Sequence, residues 1–176
     1  AATPTIPTGL DTYWTGKDLG RAAQLVPIAD QLGNTTVRDG LLAAIKTRIQ
    51  DWFQAPDGKT TDMFYYDSNW GTLIGYPASF GSDQELNDHH FHYGYFFKAA
   101  AEVARHDPSW AADDKWGGML RLLIRDVASA DRADPLFPFL RNFDPYAGHS
   151  WASGHARFGD GNNNESSSEA MNAWCG

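Results

Sequence analysis

The stretch ELNDHHFHYGYFF, Glu85 to Phe97, decides how the rest of the chain is read. It places one Asp, three His and two Tyr among apolar residues. The helix formers Ala99 to Ala101 follow it, so the segment reads as a helix over 87–105 with Asn87 as its N-cap. Residues four apart share a helical face, which aligns Asp88 with His92 and brings Tyr95 near them. His89 falls three residues before His92, whereas His90 points about 100° away from His89. Asp88 then lies in the first turn, where the positive end of the helix dipole favours a carboxylate. To act there as an acid near neutral pH it needs burial or a second carboxylate to hold its proton.

Working outward, four more helices appear. Residues 18–32 carry Leu19, Ala22, Ala23, Val26 and Ala29 on one face with Gly33 as a stop, although Pro27 interrupts the pattern. Residues 36–53 repeat Val37, Leu41, Ala44, Ile45 and Trp52 at helical spacing. Residues 110–130 present Met119, Leu122, Leu123 and Val127, and a last helix opens near Glu165. Between the second and third, residues 62–80 read as a short hairpin around Ser68-Asn69. The Pro-, Gly- and Asn-rich span 131–164 reads as one long loop, a length that usually signals function. There is no strand–helix alternation and no repeat of fixed period. The expected fold class is all-α, with helical hairpins, long functional loops and a short β-hairpin: part of an α/α barrel or bundle. The final helix has no room to finish, so the 176 residues are expected to be a piece of a larger protein.

Composition narrows the partners. The net charge is −8 with no basic stripe, which argues against nucleic acid and anionic membranes. No run of about 18 apolar residues offers a membrane span, and no signal peptide is visible at the N-terminus. The single cysteine, Cys175, leaves no disulfide framework within the chain and no Cys-based zinc site. Seven Trp, seven Tyr and ten Phe stand largely in polar, Gly-rich segments. Core packing accounts for most of them; the remainder suit a flat, half-apolar ligand such as a sugar.

Two further constellations could carry chemistry. In NNNESSSEA, Asn162 to Ala170, Glu165 and Glu169 are spaced to share one face of a helix start. On spacing alone this is equally a solvated acidic turn with serine caps. The loop DPYAGHSWASGHARFGDG, Asp144 to Gly161, presents Tyr146, His149, Trp151 and His155. Its Gly148-His149-Ser150-Trp151-Ala152 approaches a nucleophile elbow but lacks the final Gly and a preceding apolar strand. A metal site would need Asp88 or His89 with His92 and a loop histidine, yet the spacing matches no specific zinc motif. Paired carboxylates such as Asp88 and Glu165 are what glycoside hydrolysis requires, one as acid and one as base from opposite sides.

The motifs WGTLIGYPASFGSDQELNDHHFHYGYFFKAAA, DPYAGHSWASG and NNNESSSEAMNAW, with YWTGKDLGRAAQLVPIADQLG near the start, resemble glycoside hydrolase family 81. That family comprises inverting endo-β-1,3-glucanases. The resemblance implies part of an (α/α)6 barrel catalytic domain, with the rest of the barrel and an N-terminal β-sandwich domain lying outside this chain. It implies Asp88 as general acid, Glu165 as general base and Glu169 as a second glutamate organising the site. It places His92, Tyr93, His149 and Trp151 along a glucan cleft, with Asn164 beside the base. Asn164 departs from the glutamine usual in the family, a shorter amide that could loosen a hydrogen bond there. The implied substrate is β-1,3-glucan, cut internally by a secreted, monomeric parent protein with no cofactor and no metal. The alternative is a non-catalytic relative that holds glucan through its aromatics.

Overall fold

The computed structural model describes residues 5–152 and 166–176. Among them are five helices, α1 (Thr12–Gln31), α2 (Thr35–Trp52), α3 (His89–His106), α4 (Gly117–Ala128) and α5 (Ser167–Cys175). Two small antiparallel ribbons join them. In the first, β1 (Met63–Asp67) pairs with β2 (Thr72–Tyr76); in the second, β3 (Phe143–Asp144) pairs with β4 (His149–Ser150). The molecule is mostly helical, as expected, and the first ribbon is the expected hairpin. Its turn is held by Asp67, whose Oδ1 accepts from the backbone N–H of Asn69 and Trp70 at 2.8 and 3.3 Å.

α3 is the central element. It packs against α1 on one side and α5 on the other, with α2 and α4 also against it. Every residue from His89 to Phe97 is buried, the pattern of a helix enclosed on all sides rather than one with a single apolar stripe. Around it Leu19 and Val26 of α1, Ile45, Ile49 and Trp52 of α2, Phe64 of β1, Phe96 and Val103 of α3 and Leu123 of α4 form one cluster. Fully burying an aliphatic or aromatic side chain of this kind contributes about 1.5–3 kcal/mol.

Several element boundaries differ from expectation, each for a tertiary reason. α1 begins at Thr12, not at residue 18, because Asp11 caps it: Oδ1 accepts from Trp14 N at 2.8 Å. Its Gly16 looks like loop punctuation in the sequence, but Gly16 and Gly20 both lie under the Tyr95 ring. A Cβ on Gly20 would sit 2.6 Å from Tyr95 Cδ1, so only glycine admits that ring. Pro27 leaves α1 unbroken, since both sides of its buried face, Val26 and Ala29 included, are held by packing. α4 starts later than expected, at Gly117, whose Cα faces the Ala111 carbonyl too closely for a side chain. The N-cap of α3 is Asp88, not Asn87, and the expected unbroken loop over 131–164 contains the β3–β4 ribbon.

Candidate active site

The first turns of α1 and α3 and the start of α5 meet at one end of the molecule. Tyr13, Phe80, Asp88, Phe91, His92, Ser166 and Glu169 line a common cleft there, with a volume of about 130 Å³. Three helix N-termini therefore face the same space, and their dipoles favour negative charge in it. Beneath the cleft, Phe91, Ala152 and Ala170 form a small apolar cluster that joins α3, the β4 loop and α5.

Glu169 is the most strongly held group. Its Oε1 accepts from the Tyr13 hydroxyl at 2.8 Å and from the Tyr95 hydroxyl, and Lys17 Nζ lies 3.4 Å away. Burial pushes its carboxyl up, but the Tyr95 and Tyr13 hydroxyls and the Lys17 charge outweigh it, and the net direction is downward. Burial, then the hydrogen bond to Glu169 and its charge, pushes the Tyr95 phenol well up, so it remains a donor. The arrangement fixes an anionic carboxylate at the start of α5.

Asp88 sits at the N-cap of α3 in a left-handed backbone conformation (φ 61°), and its carboxyl makes no capping bond to the helix. Its Oδ2 accepts from Asn87 Nδ2 at 2.7 Å, and its backbone N–H donates to the Ala152 carbonyl at 3.1 Å. That second bond brings the β4 loop to Asp88. Asp144 orders this loop. Its Oδ2 accepts from the Trp151 indole N–H at 2.9 Å, and its Oδ1 accepts from the backbone of Tyr146 and Ala147 at 2.8 and 3.1 Å. The indole N–H first, then those two backbone bonds, hold the Asp144 carboxyl below the usual range. His149 packs edge-on against Trp151 at 4.4 Å between ring centroids, and its Nδ1–H donates to the Ser150 carbonyl at 2.7 Å.

The three histidines diverge. His89 turns into the interior, where Nδ1 lies 2.6 Å from Asp126 Oδ2, so it does not join His92 as the helical spacing suggests. His90 is enclosed between Phe91 and Trp174. His92 alone reaches the cleft, and burial, reinforced by His89, pushes it down to about 3, which keeps it neutral. Among the described residues no group of three His, Cys, Asp or Glu could hold a metal ion.

The structure thus brings together Asp88, Glu169 and His92, with Trp151 and His149 on the loop bonded to Asp88. Tyr93 does not join them. It is 1% exposed, its hydroxyl donates to the Leu73 carbonyl at 2.6 Å, and its ring packs on Phe64, so the expected cleft role gives way to a core role. One residue on either side of the helix face separates cleft from core. Glu165, Asn164 and His155 lie outside the described residues. Tyr95 is where the helical spacing from Asp88 and His92 leads, whereas Tyr13, Lys17 and Phe80 are candidate site residues that spacing along the chain does not reveal. Tyr13 and Lys17 come from the part of α1 that precedes its expected start at residue 18, and Phe80 from a segment 8 residues before Asp88.

The family model for the glycosyl hydrolase family 81 C-terminal domain matches residues 6–176. The chain belongs to glycoside hydrolase family 81. It is 64% identical over 168 residues to a glucan endo-1,3-beta-D-glucosidase of Acetivibrio thermocellus, covering 96% of this chain and 22% of that protein. A protein of the same name from Thermobifida fusca is 60% identical over 161 residues, covering 92% of this chain and 21% of its own length. The primary septum glucan endo-1,3-beta-D-glucosidase of Schizosaccharomyces pombe is 35% identical over 93% of this chain. A solved family 81 structure from Clostridium thermocellum superposes with a TM-score of 0.92 at 63% identity, over 96% of this chain and 24% of that one. The chain spans about a fifth of the length of the family 81 relatives it matches.

Proposed function

We propose that this chain is part of the catalytic domain of an endo-acting β-1,3-glucanase that inverts configuration at the anomeric carbon. Asp88 is the general acid that protonates the glycosidic oxygen. Glu165 is the general base that activates water from the opposite side, and Glu169 organises the site between them. Inversion needs the acid and base carboxyl groups about 6.5–9.5 Å apart, with room for that water, and needs no metal and no covalent intermediate. His92, neutral and facing the cleft, offers a hydrogen bond to a sugar hydroxyl. Trp151 and His149 form a wall against a glucose ring, with Asn164 beside the base.

The observation that carries the reading is the convergence of three helix starts on one cleft that holds Asp88 and Glu169 together. The family supports the substrate: the relatives of highest identity reported above are named glucan endo-1,3-beta-D-glucosidases. α1, α3 and α5 stand side by side, with α2 against α1 and α3 and α4 against α3. We read this packing as the start of an (α/α)6 barrel, which the rest of the parent protein closes. A polymeric glucan does not enter a cell intact, so the parent acts outside it; we take the parent to be a monomer.

The test is hydrolysis of laminarin by the full-length protein, followed by NMR of the anomeric proton, with wild type beside Asp88→Asn. Fresh α-anomer from the wild type and none from the variant is the expected result. Laminarin binding without new reducing ends in the wild type would replace the enzyme with a glucan-binding relative.

A further inference from the structure

We propose that Asn87 is a positioning residue for the general acid, tying the Asp88 carboxyl to the loop that carries Phe80. The proposal rests on the reading of Asp88 as the acid. Asparagine's NH₂ has two protons, and both are used. Nδ2 donates to Asp88 Oδ2 at 2.7 Å and to the Phe80 carbonyl at 3.1 Å. The amide's own Oδ1 is buried with no hydrogen-bond partner among the described residues. Leaving a buried acceptor unmade is costly, so the side chain is oriented for what its NH₂ holds.

The acidic and amide caps of the first two helices give the contrast, while the caps of α4 and α5, Trp116 and Ser166, make no side-chain capping bond. Asp11 and Asn34 each accept a backbone N–H at the start of α1 and α2. Asp88 occupies the same position on α3, yet its carboxyl makes no such bond. The left-handed backbone at Asp88 turns the carboxyl away from the helix's N–H groups and toward the cleft. Leu86 and Phe80 are also left-handed, at φ 54° and 52°. Three non-glycine residues in that region within nine positions are strained, and such strain persists only where surrounding contacts over-determine it. Asn87 lies inside this segment and bonds two of the three. On the far side the loop is anchored to α1, where Thr12 donates twice to the Pro77 carbonyl and the Tyr13 N–H donates to the Ser79 hydroxyl.

The consequence is a defined direction of proton delivery. An N–H donor on Oδ2 makes that oxygen the accepting one of the carboxyl. The transferable proton then resides on Oδ1, and the acid has little rotational freedom to lose on reaching the transition state. Phe80, 65% exposed at the cleft rim and edge-on to Tyr13, is fixed to the acid by the same amide.

The test uses the full-length protein and two substrates, laminarin and β-laminaribiosyl fluoride. Fluoride departs without a proton from the enzyme, so its release bypasses the acid. Asp88→Asn is measured first. Loss on laminarin with fluoride release retained establishes the acid; loss on both, or on neither, removes that reading and the proposal with it. Asn87→Ala is then expected to lower kcat on laminarin roughly 10- to 100-fold, with KM little moved and fluoride release kept. Equal loss on both substrates would make Asn87 merely structural, and an unchanged laminarin rate would overturn the proposal outright. Asn87→Asp, of the same shape, covers the case in which the alanine variant does not fold. A second carboxylate against Asp88 holds the acid's proton to higher pH, so the alkaline limb of the laminarin profile should move upward. Tyr13, His92 and Glu169, which face the same cleft from α1, α3 and α5, are unchanged in every variant. An alkaline limb that stays in place with Asn87→Asp would overturn the proposal.

Discussion

Tyr95→Phe removes one oxygen atom from a buried ring and tests what Glu169 contributes. In the native site the hydroxyls of Tyr95 and Tyr13 and the Lys17 ammonium all converge on Glu169 Oε1. Burial drives that carboxyl up, and of the groups that pull it back down Tyr95 is the largest. A hydrogen bond to a charged group contributes about 1.5–3 kcal/mol. At 1.36 kcal/mol per factor of ten in rate, that is roughly 10- to 150-fold if it is expressed entirely in the transition state. Tyr13 and Lys17 remain in the variant, and the Glu169 side chain is 19% exposed, so the lower end applies. The expected outcome is a fall in kcat of about tenfold. A lowered glutamate stabilises the folded site above the ordinary glutamate range and loses that stabilisation as pH falls through its lowered value. Without the Tyr95 hydroxyl that loss begins at higher pH, so the acidic limb of the activity profile shifts upward. The assay is reducing-end release from laminarin by the full-length protein from acidic to neutral pH. An unchanged kcat together with an unmoved acidic limb would refute the role given to this clamp.

Other changes probe the supports of the site. Gly20→Ala puts a methyl group 2.6 Å from Tyr95 Cδ1 and pushes the same ring off Glu169. Better helix propensity offsets part of the overpacking, about 1 kcal/mol against 1–3, so activity should fall more than the melting temperature does. Asp126→Asn leaves a buried ring nitrogen, the Thr72 hydroxyl and the Leu73 N–H facing a neutral amide instead of a carboxylate. Weakening a hydrogen bond to a buried charged group costs about 1.5–3 kcal/mol, to be read as a clear drop in the thermal midpoint of the full-length protein. Chelation by EDTA should leave laminarin hydrolysis at its full rate, because the chemistry proposed runs on carboxyl groups. Loss of activity restored by a divalent cation would overturn that.

The helices were largely legible in the sequence because their apolar residues repeat at the helical period and burial rewards that repeat. Leu19, Ile45, Leu123 and Val127 are core residues by pattern and core residues in the structure. Asp88 and His92 were legible as neighbours for the same reason: four residues apart is one turn, whatever the rest of the chain does. The motifs around them were also enough to place the chain in its family. What the sequence could not decide is where a pattern is overruled by a distant partner. Gly16 looks like the end of a loop, and Gly20 like an ordinary helix position, until the Tyr95 ring, 75 positions beyond Gly20, is seen resting on both. Tyr93 and His92 are adjacent and equally buried, yet one bonds to β2 and the other lines the cleft. The clamp on Glu169 joins residues 156 and 74 positions apart. Local periodicity determines which face of a helix is buried. Only the packing of α1, α3 and α5 determines which part of that buried face opens onto the cleft.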